Sequence, residues 1–173
     1  MTRNQCTEFL KSAHIGYIAC TKGAQSYITP FSFAYEEPVL YCFGTVGKRI
    51  LWMRANPLVC VEVDRIVSRE EWHTVIIEGR YEELPDTPLH NKDIDTAHDL
   101  LAKSAAWWEP GYSKTIRAGV ERPIDFVWFK LSVLGMSGHQ AIPDEPRIDS
   151  ASSFSALRQT IRKRLLVWAT ALQ

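Results

Sequence analysis

The sequence predicts a mainly β protein: an antiparallel β-barrel, closed or partly split, with helices on its flanks. Several β-rich stretches follow one another with short turns between them, and only brief helical segments interrupt the series. Strands in such a succession tend to close into a barrel, because closure removes unpaired strand edges. At 173 residues the chain suits one domain with an appendage. A domain of this size buries roughly 70% of its unfolded surface, which is enough for a core without disulfides or metals.

Charge and cysteine usage exclude several classes of protein. The chain carries 20 basic and 20 acidic residues, so no net charge attracts nucleic acid or a membrane surface, and any anion must be held by local groups. Its 4 cysteines lack zinc-type spacing, and no apolar run is long enough to span a bilayer. We therefore expect a cytoplasmic protein whose cysteines are free, buried thiols.

A short amphipathic helix opens the chain, with Thr2 or Asn4 as its expected N-cap. Residues 14–21 follow as a strand. A Lys22-Gly23 turn then leads into a second β-rich segment at residues 26–35.

The second segment contains Pro30, which is informative because proline cannot donate a hydrogen bond to a neighbouring strand. The segment is therefore an edge strand, a bulged strand, or a strand beside which something other than a strand lies. A planar ligand could lie there, and an ordinary edge strand of a barrel is the alternative. Strand alternation predicts two faces, with Tyr27, Thr29, Phe31, Phe33 and Tyr35 on one and Ile28, Pro30, Ser32 and Ala34 on the other.

Residues 39–43 are predicted to form a third strand, and a short helix follows that begins near Val46 and ends before Pro57. The largely apolar residues 58–64 are expected to form a strand buried on both faces. Residues 71–84 form a long strand, in which Gly79 marks a bulge or a barrel corner.

The turn at residues 45–49, which we call the anion cradle, combines groups that suit a phosphate. Thr45 and Gly47 leave backbone N–H groups free, and the helix that follows adds the positive end of its dipole. Lys48 and Arg49 supply two full charges there, although cations usually lie at the other end of a helix. An anion between these charges and the amides explains the pattern, because both side chains suit phosphate. The alternative is a solvated Lys-Arg pair after a glycine turn.

The rest of the barrel is predicted from fewer signals. A helix follows Pro88 and runs to about residue 106, where Trp107 and Trp108 either form an interface wall or anchor the helix on the barrel. Residues 123–136 are a late strand, and residues 137–140 are a turn.

The composition predicts three parts of the chain: a barrel domain at residues 1–142, a linker at 143–153 and an amphipathic helix at 154–173. The last helix is rich in arginine and lysine on its polar side. We expect it to pack on the barrel or on a second subunit, and an anionic membrane or a nucleic acid is the alternative.

Four segments, taken together in their order and spacing, resemble the pyridoxamine 5′-phosphate oxidase-like family of flavin-nucleotide-binding proteins, including its nitroimidazole-resistance branch. They are residues 27–35, 47–64, 72–75 and 79–84, and the resemblance covers roughly residues 5–140. It implies a split β-barrel that forms a homodimer, with one FMN in each of two grooves at the subunit interface.

The resemblance also implies which residues hold the cofactor. Gly47, Lys48 and Arg49 fall on the family's phosphate-binding turn, and Thr45 precedes it. The strand whose backbone borders the isoalloxazine ring corresponds to Ile28, Thr29, Pro30, Phe31, Ser32 and Phe33. In the family's dimers the partner subunit covers the flavin, and the candidates for that wall are Trp72, Trp107, Trp108 and His139.

One departure from the family bears on activity. The vitamin B6 oxidases carry a Trp-x-Gly and Arg-x-His-x-Arg type signature that holds the substrate phosphate, and the corresponding residues 136–143 contain no arginine. We therefore do not expect oxidation of pyridoxamine phosphate, whereas FMN binding is unaffected.

Three hypotheses follow. The first is an FMN-dependent oxidoreductase that acts on a small planar molecule, with nitro-aromatics as one candidate class; no catalytic side chain is identified, since the flavin itself exchanges the hydride. The second is a flavin-binding protein without turnover. The third is haem binding or degradation, with His14, His73 or His139 as axial ligand.

Overall fold

The computed structural model describes residues 1–103 and 125–143, together with the backbone of residues 115–117 and 120–122. Residues Met1–Ala141 form one compact unit, and Ile142–Gln173 form a second. Several predictions lie outside the described residues: the end of the third helix at 104–106, Trp107 and Trp108, most of the linker, and the helix at 154–173.

The prediction of a mainly β, antiparallel fold with flanking helices is confirmed. Seven strands form one sheet in the order β2-β1-β5-β6-β9-β4-β3, and β7 pairs with β8 separately. The strands are β1 Ile15–Lys22, β2 Gln25–Ser32, β3 Ala34–Glu36, β4 Val39–Thr45, β5 Leu58–Ile66, β6 Trp72–Glu83, β7 Thr115–Arg117, β8 Val120–Arg122 and β9 Phe126–Ala141. The helices are α1 Arg3–Ser12, α2 Lys48–Ala55 and α3 Asn91–Leu101. This arrangement is consistent with a split barrel.

Local signals explain where the first elements begin and end. Thr2 caps α1 in a reciprocal arrangement with Gln5: the Gln5 N–H donates to Thr2 Oγ1 at 3.3 Å, and the Thr2 N–H donates to Gln5 Oε1 at 2.6 Å. Thr2, rather than Asn4, is therefore the N-cap. Gly23 has φ of 59°, a left-handed conformation that suits glycine in the turn between β1 and β2.

The prediction of one continuous strand at residues 26–35 is wrong. The strand breaks at Phe33, whose N–H donates to the carbonyl oxygen of His14 at 3.1 Å and whose side chain is fully buried. Burial of Phe33 turns the chain, so that β3 pairs with β4 rather than continuing β2 along β1.

The prediction that residues 58–64 are buried on both faces is also wrong. β5 alternates, with Val59, Val61 and Val63 buried and Leu58 and Cys60 exposed. Within a single chain, one face of this antiparallel sheet is therefore uncovered, as is common for such sheets. The expectation of buried thiols holds for three of the cysteines and fails for Cys60.

The bulge predicted at Gly79 is confirmed, because the register between β6 and β9 shifts between Glu78 and Gly79. The unpaired residue is Leu134 on β9. The turn predicted at residues 137–140 is wrong, since β9 continues to Ala141 and pairs with the beginning of β6.

The core lies on the inner face of the sheet, beneath α1 and α2. Its largest fully buried side chains include Phe33, Phe129, Leu10, Ile50 and Met53. A smaller apolar cluster packs α3 against the other face of β4. Lys130 on β9 also donates a hydrogen bond to Asp93 on α3, with 2.6 Å between Nζ and Oδ2.

Among the residues that the structure describes, no helix combines the length and apolar character needed to cross a membrane.

Candidate ligand site between α2 and β2

The site begins where β4 ends and α2 starts. β4 ends at Thr45, and the Val46 N–H donates to the carbonyl oxygen of Asp125 at 2.9 Å. Gly47 is the N-cap of α2, and no side chain caps the helix there. The helix therefore begins at Lys48, two residues later than expected, and the amides of its first turn face outward with the positive end of the dipole. Lys48 and Arg49 are its first two residues.

Arg49 connects the cradle to β2. Its Nη1 donates to Thr29 Oγ1 at 3.3 Å and to the carbonyl oxygen of Pro30 at 3.2 Å. The guanidinium also passes close to Gly44, where an added Cβ would lie 3.0 Å from Nη2. A side chain at position 44 would therefore crowd the guanidinium in its present place.

The position of Pro30 determines which backbone groups of β2 are free. Among the described residues β2 lies at the edge of the sheet and pairs with β1 alone, so the edge strand is the possibility that the structure selects from the three that Pro30 left open. Pro30 lies opposite Tyr17 and has no N–H to donate. Pro30 and Tyr17 therefore form one of the alternate residue pairs of an antiparallel ladder that exchange no backbone hydrogen bonds. Antiparallel alternation then directs the backbone groups of Ile28, Pro30 and Ser32 toward the open edge. The bond from Arg49 to the Pro30 carbonyl reaches this edge.

Lys48 is held by two aromatic rings. Its Nζ lies 4.5 Å from the ring centroid of Tyr27 on β2 and 4.6 Å from that of Trp52, one helical turn further along α2. The two rings are themselves 5.8 Å apart. Cation–π attraction in this arrangement orders an otherwise flexible ammonium group beside β2.

Tyr27 and Trp52 were not among the predicted site residues. The spacing of Lys48 and Trp52, four positions apart on a helix, was the signal that could have identified Trp52. No local signal identifies Tyr27, because its approach to Lys48 depends on how α2 packs against β2.

The structure brings most of the predicted cofactor-binding residues into one place. These are Ile28, Thr29, Pro30, Phe31, Ser32 and Phe33 on or just after β2, and Thr45, Gly47, Lys48 and Arg49 in the cradle.

Trp72 and His139 lie elsewhere. Trp72 pairs with Ala141 and His139 pairs with Thr74, at one end of β9, whereas Thr45 pairs with Phe126 at the other. The 16 residues of β9 extend about 50 Å along the strand. Within one chain, both residues therefore lie toward the end of β9 opposite to the one that pairs with Thr45. A role in covering the cradle of a second subunit stays a prediction.

The histidines considered for haem have different surroundings. The ring of His73 stacks on Phe9, with centroids 5.6 Å apart and planes at 17°, and its Nδ1 is buried without a hydrogen-bond partner. His14 receives a backbone hydrogen bond from Phe33, and His139 is exposed on β9. No group of three or more His, Cys, Asp or Glu side chains able to hold a metal occurs within the described residues.

The fold agrees with the family that the sequence resembles. The family model for pyridoxamine 5′-phosphate oxidase matches residues 2–132. The chain therefore belongs to the pyridoxamine 5′-phosphate oxidase-like family.

Individual relatives are similar over nearly the whole barrel. An uncharacterized protein of Rhizobium meliloti (strain 1021) is 32% identical over 145 residues, which are 84% of this chain and 96% of the relative. The crystal structure of an FAD-binding protein from Mesorhizobium loti is 36% identical, with a TM-score of 0.68, over 83% of this chain and 96% of that one. The FAD binding protein from Mycobacterium smegmatis, at 19% identity and a TM-score of 0.58, covers 82% of this chain and 98% of its own and is similar in fold.

Proposed function

We propose that this protein binds FMN, or the FMN half of a larger flavin, and acts as a flavin-dependent oxidoreductase on a small planar substrate. The observation that carries the proposal is the link from Arg49 to Pro30 and Thr29. It holds a site suited to phosphate beside a strand edge suited to a planar ring, which are the two parts that a flavin nucleotide requires.

The residues present fit such a group. The uncapped first turn of α2, with Lys48 and Arg49, offers amides and two positive charges to the phosphate. At the open edge of β2, Ile28 and Ser32 each present a backbone N–H donor and a carbonyl acceptor. A planar ring whose edge carries both acceptors and donors can form hydrogen bonds with these groups. When bound, a flavin supplies hydride exchange at its N5 atom, and the protein's part is to orient the ring and exclude competing reactions.

Family membership and a flavin-binding relative add support. The relative from Mesorhizobium loti is described as FAD-binding, and FMN is the flavin-bearing half of FAD. Oxidation of pyridoxamine phosphate itself is not proposed, because residues 136–143 contain no arginine with which to hold the substrate phosphate.

We also propose that the protein is a homodimer, built on the outer face of the sheet. Cross-strand pairing aligns Ile28, Ala19, Cys60, Glu78 and Gly135 in one row across five strands of this face. The large apolar residues exposed around this row are Tyr17, Ile28, Leu58 and Leu134, at 44%, 61%, 54% and 62% of their full exposure.

A groove of about 530 Å³ on the same face is lined mainly by apolar and small residues, Leu58 and Leu134 among them, together with Glu78. Exposure of an apolar surface of this extent to water is unfavourable in free energy. A second copy of the chain would cover it, and would bring a second set of side chains to each flavin site.

The first experiment is a visible absorption spectrum of the purified protein after incubation with excess FMN and desalting. We expect retained flavin bands in the natural protein and none in Lys48→Ala/Arg49→Ala. The control is Arg69→Ala/Lys92→Ala, which removes two positive charges from the exposed surface away from the cradle. Loss of flavin in the control, or retention in the cradle variant, contradicts the proposed site.

A second experiment tests catalysis. The flavin-loaded protein is mixed with NADH or NADPH and then with a nitro-aromatic, and both half-reactions are followed at the flavin absorption maximum. An oxidoreductase reduces and reoxidises its flavin faster than free FMN under the same conditions. Rates no faster than those of free FMN would show a flavin-binding protein without turnover.

A further inference from the structure

Three aromatic side chains pack together beside the cradle, which we call the aromatic shelf: Phe43 and Trp128, which are half-buried, and Phe126, which is exposed. Phe43 stacks on Phe126, with ring centroids 5.2 Å apart and planes at 16°. Trp128 tilts against Phe43 at 4.5 Å and 47°. The shelf lies on the outer side of β4 and β9, on the face that α3 packs against further along.

The shelf begins at the cradle itself. Phe126 pairs with Thr45, the first residue of the cradle, across adjacent strands. Adjacent strands lie about 5 Å apart, and two residues extend at most about 7 Å, so the shelf begins within about 12 Å of Gly47 at the start of α2. A phosphate bound at the cradle is therefore within reach of the shelf through a short linker.

The outer surface of the shelf is available to a ligand. Phe126 is 50% exposed, although Phe43 covers one face of its ring. The opposite face is the part left in water. Phe43 and Phe126 stack on each other in an arrangement typical of favourable aromatic pairs. A planar ring bound on the other face of Phe126 would be the third ring of this stack.

We propose that the aromatic shelf stacks the adenine of FAD, so that this protein prefers FAD to FMN. The inference rests on the proposed flavin site, because the cradle must hold the phosphate from which the adenosine extends. FMN and FAD share the isoalloxazine ring, the ribityl chain and the first phosphate. The second phosphate and ribose of FAD can span the distance of at most about 12 Å from Gly47 to Phe126, and only FAD then presents a second planar ring.

The experiment is calorimetric titration of the natural protein, Phe126→Ala and Phe126→Tyr with FMN and, separately, with FAD. We expect the natural protein to bind FAD about tenfold more tightly than FMN, since stacking of one base on an aromatic side chain is typically of this size. Phe126→Ala should lose the preference and keep its affinity for FMN, and Phe126→Tyr should keep the preference. Leu89→Ala is the control, because it shortens another highly exposed apolar side chain outside the shelf.

The outcomes separate this inference from the proposed function. Equal affinities for FMN and FAD in the natural protein, or an unchanged preference in Phe126→Ala, overturn the inference and leave the flavin site standing. Weaker binding of both flavins to Phe126→Ala by the same factor also overturns it, since the residue would then act on the flavin half. Failure of the natural protein to bind either flavin overturns the proposed function and the inference together.

Discussion

Arg49 donates a hydrogen bond to the carbonyl oxygen of Pro30, with 3.2 Å between Nη1 and the oxygen. The two residues lie 19 positions apart, on α2 and on the open edge of β2, and the same nitrogen reaches the Thr29 hydroxyl at 3.3 Å. The guanidinium therefore fixes the distance between the cradle and the strand edge. Both parts of the candidate site depend on this one side chain.

Arg49→Lys should weaken FMN binding by about tenfold, or about 1.4 kcal/mol, although it keeps the positive charge. A lysine ammonium lacks the planar fork that reaches Thr29 and Pro30 together. FMN titration measures the effect. The control is Arg54→Lys on the same helix, where the arginine pairs with Glu83 rather than with β2. An Arg49→Lys protein that binds FMN as tightly as the natural one would show that charge alone matters.

Leu134→Asp should convert the proposed homodimer into a monomer. Leu134 is the unpaired residue of the bulge, is 62% exposed and lines the groove on the outer face of the sheet, so a carboxylate there would have to be desolvated in the dimer. Light scattering at micromolar concentration measures the change. Leu89→Asp is the matched control, since Leu89 is 84% exposed and does not line the groove. A natural protein that is already monomeric would contradict the proposed interface.

Gly138→Ala should destabilise the fold by about 1–3 kcal/mol through overpacking. A Cβ at this position would lie 2.5 Å from Cys6 Sγ and 3.1 Å from Met1 Sδ, where α1 packs on β9. Urea denaturation measures the free energy of unfolding. The control is Ser137→Ala, which introduces the same residue at the neighbouring, exposed position of β9. Partial rescue by Cys6→Ala in the Gly138→Ala background would confirm the cause.

Stability should fall in acid partly through Glu83. Hydrogen bonds from Arg54, and secondarily from Tyr81, lower the pKa of Glu83 below its ordinary value of about 4.5. A carboxyl whose pKa is lower in the folded state stabilises the fold above its ordinary pKa, and this contribution is lost as the pH falls through the folded-state pKa. Glu83→Gln should therefore unfold at lower urea than the natural protein at pH 6, and the difference should shrink toward pH 3.

The control for this pH series is Glu70→Gln, an exposed residue of the turn between β5 and β6. Its urea concentration at the midpoint of unfolding should equal that of the natural protein at every pH. A constant difference between Glu83→Gln and the natural protein from pH 6 to pH 3 would mean that the ionisation of Glu83 does not contribute.

Much of the fold and of the candidate site could be predicted, because the signals were local. The cap at Thr2, the turn at Gly23, the bulge near Gly79 and the end of α2 before Pro57 each depend on the conformational limits of one residue. Pro30 narrowed the position of β2 to an edge, a bulge or a place beside a non-strand neighbour, since a missing N–H restricts where a strand can lie, and the structure selects the edge.

The wrong predictions share one physical cause. Strand pairing and burial depend on residues that are far apart in the chain, so no single segment determines them. Residues 137–140 resemble a turn by composition, yet they continue β9 because the first half of β6 offers them a partner. The apolar run at residues 58–64 has one face uncovered within a single chain, because the hydrophobic core lies only on the side of Val59, Val61 and Val63.

By itself, the sequence determined that this is a mainly β protein in which Lys48 and Arg49 follow a glycine turn at the start of a helix and Pro30 interrupts the hydrogen bonding of a strand, because backbone sterics and missing donors act within a few residues. Only the tertiary structure decided that Arg49 joins the two, that Tyr27 and Trp52 hold Lys48, and that Phe126 lies beside Thr45. These contacts connect residues distant in the chain, and their geometry is set by how α2 and β9 pack against the sheet.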